Sequence, residues 1–326
     1  MTTLAIACQR DATLVFLDTE TGERLDTIDI APEPHEACFD AERGLVYVSH
    51  TYKSGWYFQN SGRAGLISVI DADTRKVVDV IDVAPDHGPH DLQWDPATDN
   101  LYVAVESGEG RTGAILMIDP ETRKVLDRIP VDADGPHWFA ITPDSAKLYT
   151  ANKEAPFVSV VDLASGKMTG RVDVPSTEGI AALADRVVVA GPVFSGAERT
   201  EANGLYVIDT AKDIVTEFVA SEQAVTAVHA TTSGRLLVSE VPASVGPDGL
   251  VMGEGMLRIY DAASLNLLQR LPIGAGALSI RSTADGALAF VANSGSATVT
   301  VIDINTLSVQ NTFAAEPGAH GMAIIA

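Results

Sequence analysis

"GLISVIDADTRKVVDVIDV", residues 65–83, holds an alternating apolar strand that ends in Asp71, a tight polar turn, and a second alternating strand. The wording decides the fold because it keeps returning. It recurs as "AILMIDPETRKVLDRIPV" (114–131), "FVSVVDLASGKMTGRVDV" (157–174), "GLYVIDTAKDIVTEFVA" (204–220), "MLRIYDAASLNLLQRLPI" (256–273) and "TVTVIDINTLSVQNTFAA" (298–315). "TLVFLDTETGERLDTIDI" (13–30) is a seventh copy. Between copies lies another strand pair, of the kind "HDLQWDPATDNLYVAVE" (90–106) and "HWFAITPDSAKLYTANK" (137–153).

Each repeat therefore carries four short antiparallel strands. Anchors at the start of each first strand fall at residues 35, 90, 137, 178, 226, 278 and 320, a spacing of 41 to 55 residues. Four strands at that period describe a propeller blade. The chain ends on a lone first strand, "HGMAIIA" (320–326), and opens with the other three, so the last strand is expected to complete the first blade. The expectation is an all-β, seven-bladed β-propeller of four-stranded blades, residues 1–326 forming one domain.

The strands "LYVAV", "LYTAN" and "FVANS", each followed by a V-x-V-I-D hairpin, resemble those of the YVTN-repeat propellers, and the likeness covers the whole chain. That family has varied roles, so the resemblance implies a fold rather than an activity.

Composition narrows the partners. With 44 acidic against 22 basic residues the net charge is −22, which repels phosphate backbones and anionic membranes. No stretch is long and apolar enough to span a bilayer. The first residues lack a basic leader, and Gln9, Arg10 and Asp11 interrupt any signal core, so a cytoplasmic protein is expected. Cys8 and Cys38 show no metal-motif spacing and read as small buried hydrophobes. The oligomeric state is open, a monomer included.

Function is sought where the repeats disagree. The position that starts each first strand reads His320, His35, His90, His137, Glu178, Thr226 and Leu278 in blade order. The end of each second strand reads Cys8, His50, Val105, Asn152, Gly191, Glu240 and Asn293. Four of the seven histidines thus occupy one repeat position in consecutive blades. Imidazoles gathered in this way suit a divalent transition metal such as Fe, Zn, Cu or Ni, and His35, His90, His137 and His320 are the expected ligands. Glu178, Glu240 and Glu106 are candidate acceptors for ligand N–H groups, and Glu178, His50 and Glu240 candidate acid–base residues. Histidines copied with a duplicated blade are the structural alternative. His87 reads as an approach-loop residue and His229 as core.

Long loops after three second strands, 51–65, 192–204 and 241–255, are placed to shape a mouth. Trp56, Tyr57 and Phe58 there suggest a substrate wall, or packing on a neighbouring blade. Arg63, Arg111 and Arg199 suggest a clamp for a carboxylate or phenolate, or pairs with nearby acids. The expected function is a metal-dependent enzyme of lyase or hydrolase type acting on a small cyclic or aromatic substrate. The histidine ring is similar in kind to the metal centres of streptogramin B lyases and of four-histidine Fe(II) oxygenases built on propellers. A non-catalytic binding propeller is the third reading. No nucleophile elbow, P-loop, dinucleotide fingerprint, zincin motif or haem-attachment motif is present.

Overall fold

A computed structural model describes residues 2–55, 59–175, 177–191, 202–246 and 249–326. Among the described residues, seven four-stranded antiparallel sheets form the blades of a seven-bladed β-propeller. Among the described residues no helix is long and apolar enough to cross a membrane. The chain divides into two compact units, Met1–His137 with Ala314–Ala326, and Trp138–Phe313.

In the first unit, Arg24–Asp29, Thr13–Asp18, Thr3–Cys8 and Ala319–Ile325 lie side by side in that order, so the last strand completes the first blade. The next blade is Pro34–Asp40, Leu45–Tyr52, Arg63–Asp71 and Lys76–Asp82; the third is Asp86–Asp95, Asn100–Gly108, Arg111–Ile118 and Val125–Pro130. The second unit holds the other four sheets, the first of which begins with the strand Pro136–Ile141 that contains the boundary. The blade-six connection adds a two-stranded ribbon, Ala243–Gly246 with Gly249–Met252, where a plain loop is expected from sequence.

Burial follows position in the blade rather than simple alternation. Leu45–Tyr52 is buried along its whole length, whereas the outermost strand Lys76–Asp82 is mostly exposed, including Val77, Val78 and Val80. Inner strands are covered on both faces by neighbouring blades, so their apolar residues run continuously. One core joins Tyr47, Ile67, Val69, Leu101, Val103 and Leu116 within the first unit. Another joins Tyr149, Val158, Val187, Leu237, Ile259 and Val291 within the second.

The first strands share a device that the sequence only hints at. Opposite the second strand, register slips between Pro34 and Ala37, between Pro89 and Leu92, and between Cys8–Ala319 and Ile6–Met322. His35–Glu36, His90–Asp91 and His320–Gly321 therefore each put two residues against one, a β-bulge that re-aims side chains. Thr226–Ala227 and Leu278 occupy the same slip in their blades. Two residues before His90, His137, Leu278 and His320 the backbone is left-handed, at Gly88, Gly135, Gly276 and Gly318, and before His35 it is so without a glycine, at Glu33 (φ 54°). A left-handed glycine followed by proline is thus the turn that presents each "GPH" histidine. Gly321 serves a second need: a Cβ there would meet Glu36 Cα at 2.3 Å and His35 O at 2.4 Å.

A second repeat position fastens blades internally. The end of the second strand reaches diagonally to the third: Asn152 Nδ2 donates to Ser159 Oγ (3.0 Å) and Asn293 Nδ2 to Thr300 Oγ1 (2.9 Å). His50 stands at the same place, its Nε2 accepting from Ser68 Oγ (2.8 Å), and Glu240 there is paired with buried Arg258.

Candidate metal centre

Three bulges and one short strand entry bring the four expected histidines together within the first unit. His35, His90 and His137 each offer a ring nitrogen, and these nitrogens all lie within 4.8 Å of one another. All three are buried, with exposures of 4%, 0% and 2%. The rings of His90 and His137 stand 3.5 Å apart at 41°, closer than the roughly 4.5–7 Å of ordinary aromatic pairs. His35 meets His90 edge-on at 4.1 Å. His320 joins differently: its ring stacks on His35 at 4.3 Å, and its Nδ1 lies 3.1 Å from Glu36 Oε1.

The donor set fits a metal. Nitrogens sharing an ion at about 2.0–2.1 Å stand no more than about 4.2 Å apart, so a set already within 4.8 Å closes on an ion with small ring rotations. Imidazole suits Zn, Cu, Fe and Ni. Main-chain tethers hold the donors in place: Ser49 Oγ donates to His90 O (2.6 Å) and Thr51 Oγ1 to Pro89 O (2.8 Å).

Two carboxylates accompany the histidines. Glu36, 0% exposed, follows His35 and faces His320. Glu106, 1% exposed, accepts from Tyr52 Oη (3.0 Å) and from Arg63 Nε (2.6 Å), and Tyr52 lies edge-on to His35 at 6.2 Å. Glu36 escapes a reading by alternation, which sends neighbours to opposite faces; the bulge turns both His35 and Glu36 inward. Glu33 accepts the Gly55 N–H (2.7 Å), and burial pushes its carboxyl upward against that bond.

Both ring nitrogens of His50 are engaged, Nδ1 donating to Pro32 O (3.0 Å) and Nε2 accepting from Ser68, and burial pushes the ring down to about 4. Glu178 and Glu240 are buried in the second unit, where Glu240 is held by Ser221 and Arg258. Arg63 is tied to Glu106, and Arg111 to Asp86 (3.2 Å), which Arg128 also binds (2.8 Å). His229 pairs with Ser282 Oγ at 2.9 Å, and burial pushes it down to about 3. Trp56, Tyr57, Phe58 and Arg199 lie outside the described residues.

No protein-family model matches the chain, and no curated protein matches it in sequence. Solved structures share the fold. A functionally unknown protein from Desulfotomaculum acetoxidans DSM 771 is similar with a TM-score of 0.75 at 13% identity, over 99% of this chain and 98% of that one. Kuenenia stuttgartiensis hydrazine synthase gives a TM-score of 0.67 at 15% identity over 87% of each chain. Dihydro-heme d1 dehydrogenase NirN, solved in complex with DHE, gives 0.64 at 15% identity over 98% of this chain and 74% of its own. At these identities the likeness is one of fold.

Proposed function

We propose that the protein is a metal-dependent enzyme in which His35, His90 and His137 hold a divalent transition-metal ion, and that it acts on a small cyclic or aromatic molecule by lyase or hydrolase chemistry. The observation that carries this reading is the meeting of three buried imidazoles from three different strands within 4.8 Å. A divalent ion held by neutral nitrogen ligands supplies Lewis acidity toward a substrate oxygen. Beside it, buried Glu36 faces His320 and supplies negative charge that offsets part of the ion's, while Glu106 is paired with Arg63.

Arg63 and Arg111 already serve buried carboxylates, which favours an uncharged substrate such as a cyclic ester over a carboxylate or phenolate. Among the structural neighbours, two are named as enzymes and one was solved with the ligand DHE, in accord with small-molecule chemistry on this fold. A four-histidine oxygenase has less support, because His320 presents its ring face to His35 and its Nδ1 to Glu36.

Co2+ titrated into metal-free protein is expected to bind at one equivalent with visible absorption bands, and the loaded protein to turn over members of a cyclic-ester panel without oxygen. Turnover that needs oxygen contradicts the lyase or hydrolase assignment.

A further inference from the structure

One repeat position, the residue just after the blade-fastening position, links each of the first three blades to the entry of the next. In the first blade it is Gln9, whose Nε2 lies 3.4 Å from His35 Nδ1. In the second it is Thr51, whose hydroxyl donates to Pro89 O, the residue before His90. In the third it is Glu106, whose main-chain oxygen accepts the N–H of Gly135 (2.9 Å), two residues before His137.

Glu106 does more than its counterparts because its side chain is also inside. Its Cβ and Cγ pack on Gly88, where an added Cβ would meet them at 3.2 and 3.1 Å, and Gly88 opens the turn into His90. Its carboxylate holds the Tyr52 hydroxyl and the Arg63 guanidinium, and Tyr52 lies edge-on to His35. Glu106 therefore touches a support of each of the three histidines.

We propose that Glu106 is the positioning residue of the three-histidine centre: through Gly88, Gly135 and Tyr52 it sets the spacing of His90, His137 and His35, and its buried charge favours a cation among them. This rests on the reading of those histidines as metal ligands. The charge has a clear sign of action, since a carboxylate in a poorly solvated surrounding stabilises a nearby divalent ion more strongly than it would in water. Arg63, two-thirds buried with its Nε 2.6 Å from the carboxylate, offsets part of this charge and leaves the remainder to act on the ion.

The test measures the affinity of metal-free wild type, Glu106→Gln and Tyr52→Phe for Zn2+ against a competing chelator, together with melting temperatures of the metal-free forms. Gln keeps the size of the side chain and the main-chain bond to Gly135, so its effect isolates the charge; Phe keeps the ring and deletes the bond to Glu106. The expected result is a loss of about 10- to 100-fold in affinity for Glu106→Gln, the range seen for outer-sphere partners of metal ligands. A smaller loss is expected for Tyr52→Phe, and each metal-free variant should melt within a few degrees of wild type. Affinities within twofold of wild type for both variants overturn the proposal while leaving the three-histidine reading intact. A wild type that binds no Zn2+ overturns both.

Discussion

His320 stacks on His35 at 4.3 Å with an interplanar angle of 30°, while its Nδ1 lies 3.1 Å from Glu36 Oε1. Under the three-histidine proposal, a ring used in this way braces His35 instead of donating a fourth nitrogen. His320→Ala is expected to weaken Zn2+ binding by no more than about 10- to 100-fold. His90→Ala removes a donor and is expected to abolish stoichiometric binding. Chelator competition on the two variants separates them; equal losses contradict the distinction.

His50 ties stability to pH. Its ring is pushed from 6.5 in the free state to about 4 by burial. Between those values the unfolded chain takes up a proton that the folded chain refuses. The stabilisation is complete above pH 6.5 and falls as the pH drops toward 4, by up to about 3 kcal/mol. His229, pushed to about 3, acts with the same sign. Asn152 and Asn293 fill the same place in other blades, so His50→Asn is expected to fold and to lose much of the decline between pH 6.5 and 4. Urea unfolding at several pH values measures it; an unchanged slope contradicts the assignment.

Glu240 and Arg258 are the charged version of the same fastening, both nearly buried. Removing one partner leaves the other's charge uncompensated, so Glu240→Ala is expected to cost about 3–5 kcal/mol. Glu240→Asn with Arg258→Ser restores the chemistry of Asn152 and Ser159 and is expected to recover most of the loss. A double-mutant cycle by chemical denaturation measures the coupling; additive losses contradict it.

What the sequence made legible, and what it hid, follows from geometry. Repeats of alternating strands were enough for seven blades and for the last strand beside Thr3–Cys8, because period and turn chemistry are local. The one repeat position shared by His35, Thr226 and Leu278 was legible too, since each sits at the same slip. Glu36 was not, because a bulge breaks the two-residue period on which inward and outward facing are read. The partner of His50 was not either: Ser68 lies diagonally across on the third strand, a contact that no spacing along one strand reveals. The choice between a substrate clamp and acid pairs for Arg63 and Arg111 stays open in the sequence for the same reason, their carboxylates being supplied by other strands.

The most direct measurement is the metal content of the purified protein after growth in supplemented medium, set beside that of a His35→Ala, His90→Ala, His137→Ala variant. One equivalent of Fe, Zn, Cu or Ni per chain in the wild type, absent from a variant that still folds, is the result the three-histidine centre predicts. Wild-type protein that carries no metal and takes none up at micromolar concentration contradicts it.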